Sequence, residues 1–363
     1  MSDPQKKNSS RLAFIDWTRG LAAVIMLQGH TFNSFARTDL RDKGPYMLSQ
    51  FAGGLPPAIF LFLTGITFAF LMDSQERSGA GTKARVWAAL KRSRYLFLLA
   101  FLFRIQLYVF GFPTSPADQL LKVDILNCMG FAMLVFAPMA VFTSMERIRL
   151  CTILGALVAL LSPLISMIDV SGLPWFLRAY IVPDYNYFGF FPWASFLAFG
   201  MAAGSIFRTV RQEDMSRTML WMMAGGLCLA LFAQHMSNLS YSVYPNSEFW
   251  LNSPGLVMIK LGFVLCMLAL AYLWVNLGAA QRWSIFRQLG TTSLLVYWVH
   301  VELVYGRWFG IWKEALSVPQ VVIYTVLLIG LMLVLSVLRT RYKTLGSLFR
   351  PAPLPEPRRA SGD

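Results

Sequence analysis

RLAFIDWTRGLAAVIMLQGH, residues 11–30, opens like a helix entering a membrane, yet it carries Asp16, Arg19 and His30. A charged side chain at mid-bilayer costs about 2.5–3.5 kcal/mol even on the gentlest scale, so three ionisable groups in one span ask for a reason. A helix turns about 100° per residue, which puts Arg19 about 60° from Asp16 and His30 about 40° from it in the same sense. The three form one stripe. At about 1.5 Å per residue, His30 lies roughly 16 Å beyond Arg19 along the axis. Asp16 and Arg19 stand at i, i+3 and can pair, a bond that by itself only fixes packing. His30 reaches the far half of the bilayer.

The rest of the chain agrees with a membrane reading. Of 363 residues, 56% are hydrophobic and 14% charged, against about 25% charged in a soluble domain. The polar opening MSDPQKKNSS leads into a long span without a small-residue cleavage site, which predicts an uncleaved first helix rather than a signal peptide. About 20 apolar residues cross the hydrocarbon core as a helix. Ten windows qualify: 12–35, 55–72, 94–112, 123–143, 150–168, 188–207, 218–235, 254–277, 289–306 and 319–338. The expected fold is all-α, a polytopic transmembrane helical bundle of about ten spans. One membrane domain, 11–345, is flanked by tails at 1–10 and 346–363, and the Pro-rich, charged RPAPLPEPRRASGD predicts disorder in the second. Spans two and five are short, with Pro56, Pro57 and Pro163 in or near them. Such breaks survive where neighbouring protein satisfies the freed backbone groups.

The net charge of +14 raises the question of nucleic acid. No nucleic-acid motif accompanies it, and the basic residues sit in short loops between apolar runs, so that class is excluded. With the N-terminus placed in the cytoplasm, 22 Lys and Arg fall on the cytoplasmic side and seven on the other. The bias predicts cytoplasmic N and C termini. Only Arg19, Arg104 and Lys260 remain inside spans. The four cysteines, Cys128, Cys151, Cys228 and Cys266, lack metal-ligand spacing and read as free thiols, with neither a disulfide framework nor a metal site expected.

Further polar residues share the interior. LGTTSLLVYWVHVELVYG in span nine carries His300 and Glu302, about 200° apart round a helix, so one faces a cavity while the other packs or nears the interface. Span nine runs in the same direction as span one, which brings His300 near the depth of His30. Two histidines from different helices at one depth suit proton transfer, or simply hydrogen-bond helices together. Arg104 falls near mid-membrane, where it cannot easily snorkel; Lys260 and Asp124 fall in the outer half, and Lys122 can snorkel to the interface. Gly200 and Gly204 have the small-xxx-small spacing of close helix packing. The loop KARVWAALKRSR holds Lys83, Arg85, Lys91, Arg92 and Arg94. It fits phosphate binding and orientation signalling equally.

RLAFIDWTRGLAAVIMLQGH resembles the first transmembrane helix of the membrane-bound acyltransferases, both acyltransferase family three and the bacterial relatives of heparan-α-glucosaminide N-acetyltransferase. Those open with an Arg, then Ile/Leu-Asp, then Arg-Gly and an apolar run. Arg19 and His30 match the Arg-x10-His motif of acyltransferase family three. VDILNCMGFAMLV, FPWASFLAFGMAAG and LGTTSLLVYWVH are similar to later blocks of the heparan-acetyltransferase-related group. The resemblance runs over roughly residues 11–340. In place of the Arg-x-x-Arg pair usual ahead of the third helix stand Lys91 and Arg94 at that spacing, or Arg92 and Arg94 one residue closer. The resemblance implies an acyltransferase of the bacterial inner membrane that uses acyl-CoA, acetyl-CoA first, as co-substrate, with no metal. The donor would enter from the cytoplasm near Arg19, Lys91, Arg92 and Arg94. His30 would act as general base or acyl carrier, with His300 as a second catalytic residue. Asp16, Arg104, Asp124, Lys260 and Glu302 would contact the acceptor, a glycan or glycolipid bearing a hydroxyl or amine and reached from the outer side. Membrane lipids are the remaining partners. Intramembrane Asp, Arg, Lys and His also mark transport pathways, so a secondary transporter of a small polar or anionic solute is the alternative, although no repeat between the two halves supports it.

Overall fold

The computed structural model describes residues 4–239, 242–277 and 283–348. Residues 1–3 and 349–363 of the expected tails, and Arg282 of the charge count, lie outside the described residues. Thirteen α-helices follow one another among them: α1 Pro4–Phe35, α2 Gly44–Gly53, α3 Pro56–Arg77, α4 Thr82–Gly111, α5 Ile125–Phe136, α6 Ser144–Ile165, α7 Trp175–Ile181, α8 Phe190–Thr209, α9 Met215–Ser237, α10 Pro254–Asn276, α11 Ile285–Thr291, α12 Ser293–Tyr305 and α13 Val318–Leu348. The helices start where sequence chemistry allows. Pro56 and Pro57 open α3, Pro254 opens α10 behind a Ser253 cap, and Asp124 and Thr143 form capping boxes for α5 and α6.

Every expected span corresponds to a helix, but eight stretches, rather than ten, are long and apolar enough among the described residues to cross a membrane. The polar stripe of α1 keeps it too hydrophilic to qualify, although it is 32 residues long. The ninth span is broken at Thr292 into α11 and the 13-residue α12. The expected short spans are full helices of 22 residues each, α3 and α6, and Pro163 is accommodated in the last turn of α6.

The centre of the bundle is α3 packed on α8, with α6 behind α8. In the apolar stretch of α8, 78% of residues are buried; in α9 the share is 17%. Helices α4, α9 and α13 form the outer wall and turn Leu98, Ile105, Leu227, Leu231, Val326 and Leu327 outward. A continuous apolar belt of that size belongs in lipid, and the chain is a polytopic helical membrane protein. One end of the bundle is fastened by ion pairs: Asp73 to Arg208 (2.6 Å) and Arg77 (3.0 Å), and Glu76 to the buried Arg147 (3.2 Å) and to Arg85 (3.5 Å). These four arginines all belong to the set that the charge bias assigned to one side. All four cysteines are free thiols.

The small-xxx-small reading of α8 is borne out. A methyl group on Gly200 would collide with the Phe62 carbonyl of α3, and one on Gly204 would sit 2.8 Å from the Ile66 Cα. Gly200→Ala is therefore expected to destabilise the protein by about 1–3 kcal/mol, the cost of overpacking a tight core. A lowered thermal unfolding midpoint in detergent, with unchanged helix content, is the readout; an unchanged midpoint would contradict the packing.

Candidate active site

Two helices from opposite ends of the chain build the site. α1 and α11 meet where Gly20 lies against the Phe286 carbonyl and Gly290 against the Asp16 carbonyl, contacts that leave no room for a Cβ on either glycine. From that crossing α1 and α12 run on together. His30 bonds His300, and Ser34 Oγ donates to the Val304 carbonyl at 2.7 Å. Both pairs are separated by 270 positions. Helices that leave a common crossing in parallel keep equal offsets at equal depth, since each residue adds about 1.5 Å. The two histidines therefore face each other because each lies ten residues beyond its glycine.

His30 Nδ1 and His300 Nε2 are 2.9 Å apart, with the rings nearly parallel. His300 is fully buried, and His30 is partly accessible. The hydrogens follow from the partners. His300 Nδ1 lies 2.8 Å from the Val296 carbonyl, which only accepts, so Nδ1 carries the hydrogen. In the neutral ring that leaves Nε2 as an acceptor, and His30 Nδ1 donates to it. His30 Nε2 then keeps its lone pair, with no hydrogen bond to any described residue. A proton taken there is shared through His300 toward a carbonyl, which is the geometry of an oriented general base.

Aromatic hydroxyls surround the pair. The Tyr305 ring lies 5.3 Å from His30; its hydroxyl accepts from Asn33, whose side-chain oxygen accepts from Tyr46, each at 3.3 Å. Tyr297, one turn before His300, packs 5.8 Å from it and 5.1 Å from Phe103. Its hydroxyl bonds no described residue and lies within the field of Arg104 and Asp124. Trp298 next to it donates to Gln106 of α4, tying α12 to that wall.

The other expected site residues divide. Arg104 and Asp124 pair with each other at 3.1 Å, both nearly closed from solvent. Asp124 also caps α5 through the Leu126 and Asn127 amides (2.9 and 3.1 Å), and Asn127 donates to the Tyr180 hydroxyl at 3.0 Å. Glu302 accepts from Trp308 at 3.1 Å. It points away from the histidine pair, as its 200° offset requires. Lys260 lies 4.9 Å from the Trp193 ring and beside Gly54, at the α2–α3 junction, and meets no carboxylate among the described residues. Asp16 and Arg19 pair at 3.1 Å toward the other end of α1. Arg287 lies in the field of Asp16, and Arg92 in that of Arg19. Lys91 and Arg94, in the same basic run as Arg92, line a cleft on the outer wall with Trp87 and Leu134. Sequence reasoning missed Tyr297, Tyr305, Asn33 and Arg287. For Tyr297 the signal was present: it stands at i−3 from His300, on the same helix face.

A hydrogen-bonded histidine pair held inside a bundle of apolar helices marks an integral membrane protein with polar groups in its interior. Residues 11–244 match the model of the family described as heparan-alpha-glucosaminide N-acetyltransferase, catalytic. The chain belongs to that acyltransferase-related family of membrane proteins. No curated protein matches the chain. The match contains Asp16, Arg19, His30, Lys91, Arg92, Arg94, Arg104 and Asp124; Lys260, His300 and Glu302 lie beyond it.

Proposed function

We propose that the protein transfers an acyl group, acetyl first, from acyl-CoA entering at the cytoplasmic face to a hydroxyl or amine of an extracytoplasmic glycan or glycolipid. The observation that carries this reading is the His30–His300 pair, with a free Nε2 on the partly accessible ring, in a chain of an acyltransferase family. The charge bias supports placing the Arg19 end in the cytoplasm. There Arg19 and Arg92, with Arg287 close by, meet the donor's phosphates. The extended pantetheine arm then carries the thioester along α1 over the roughly 16 Å to His30. His30 Nε2 takes the proton as the acceptor oxygen or nitrogen attacks the thioester carbonyl, and the imidazolium returns it to the departing coenzyme A thiolate. Tyr297, with its unpartnered hydroxyl beside His300, is placed to donate to the oxyanion of the tetrahedral intermediate. Arg104 and Asp124 hold that wall in place, and Lys260 remains available to an anionic part of the acceptor.

Purified protein incubated with acetyl-labelled acetyl-CoA is expected to release free coenzyme A over time, slowly to water and faster when amino sugars or polyols are added, with label appearing on the added acceptor. Coenzyme A that neither binds nor is released would overturn the reading.

A further inference from the structure

The cleft on the outer wall has a use of its own. It measures about 240 Å³ and lies between α4 and α5. Ser93 forms its floor and fastens the two helices by donating to the Gly130 carbonyl at 2.8 Å. Trp87, Phe97 and Leu134 wall it, and Lys91 and Arg94 stand at its rim. Neither cation forms an ion pair or a hydrogen bond with a described residue, although the same end of the bundle fastens Arg77, Arg85, Arg147 and Arg208 to carboxylates. Both are exposed, as are Trp87 and the Leu98, Phe101 and Leu102 that follow along α4, so the cleft opens onto lipid rather than into the bundle.

An occupant must put an anion between two cations and apolar substance against the walls, and it must arrive from the membrane side. Lys91 and Arg94 are one helical turn apart, about 4.5 Å in rise and about 60° in azimuth, close enough to grip one phosphate. Tryptophan sits by preference at headgroup level, and the cytoplasmic leaflet is the anionic one. We propose that this cleft is a binding site for one anionic phospholipid, its phosphate held by Lys91 and Arg94 and the start of an acyl chain lying against Phe97 and Leu134. The basic run of α4 is thereby divided by helix face: Arg92 turns toward Arg19 and the donor, Lys91 and Arg94 toward the bilayer. The assignment does not depend on the acyl-transfer reading.

The test uses full-length protein in nanodiscs of phosphatidylcholine containing one-fifth phosphatidylglycerol, followed by extraction into detergent and native mass spectrometry. The wild type is expected to retain one phosphatidylglycerol in preference to phosphatidylcholine. Lys91→Ala/Arg94→Ala is expected to lose that preference at least tenfold, and Arg149→Ala, which removes an exposed cation at the same end, to keep it. Coenzyme A binding, measured in lipid-free detergent, is expected to change less than twofold in the double variant. A wild type without preference, or an equal loss in Arg149→Ala, would overturn the site in favour of diffuse attraction. A tenfold loss of coenzyme A affinity in the double variant would overturn it in favour of a donor site. Unchanged elution of all variants on size exclusion checks the fold.

Discussion

His30→Ala is expected to lose two to four orders of magnitude in transfer rate, the usual cost of removing a general base, while the protein remains folded and still binds coenzyme A. The residue ends a chain of bonds without supporting one: His300 stays fixed by the Val296 carbonyl when His30 is cut back. His300→Ala acts differently. It leaves His30 Nδ1 without its acceptor, so the ring loses the partner that selects its tautomer. The expected loss is large but smaller than that of His30→Ala, and His300→Gln, whose amide oxygen can accept from Nδ1, recovers part of it. Because the two rings work as a unit, the double alanine variant should be no slower than His30→Ala by more than about threefold, since such effects are far from additive. Initial rates of label transfer at saturating acetyl-CoA decide each case. Near-normal turnover in His30→Ala would remove it from the chemistry, and fully multiplicative losses would mean that the histidines act separately.

The second large effect concerns stability. Asp124→Ala strips the cap from α5 and leaves Arg104 without its countercharge in an apolar wall. An uncompensated buried charge costs about 3–5 kcal/mol, and a lost N-cap adds about 1 kcal/mol. Unfolding in detergent should occur at a much lower temperature, or the protein should fail to accumulate. Arg104→Met/Asp124→Asn removes both charges together, and asparagine still caps a helix, so most of the stability should return. That recovery separates a structural pair from an acceptor-binding one. A double variant that stays as unstable as Asp124→Ala would refute the pairing argument, and a stable double variant with impaired acceptor KM would give the pair a second duty.

The apolar runs made the helices legible, because a bilayer demands about 20 such residues in a row. The polar exceptions made half of the site legible: His30 and His300 stood out on cost alone, and the charge bias put them at similar depth. Three things were hidden. That Arg104 and Asp124 belong to each other depends on the loop joining α4 to α5, whose path no periodicity announces. The break at Thr292 is masked by an apolar sequence that reads straight through it. The division between Arg92 and its neighbours was open to simple angular arithmetic, yet a cluster of like charge invites treatment as one feature. Tyr297 was lost for the same reason, as a common aromatic beside a rare imidazole.

The constant offset of 270 positions between the paired residues of α1 and α12 also has a meaning in time. A ribosome delivers the helices in order. Ten described helices, α2 to α11, are made between the helix of His30 and that of its partner. Until α12 arrives, His300's acceptor nitrogen is absent and the early imidazole has no fixed tautomer. A chain that ends before α12, including one containing all of residues 11–244, holds His30 without the partner that fixes its tautomer. On the mechanism proposed above, such a product has no oriented base with which to squander thioesters on water, and competence waits for α12.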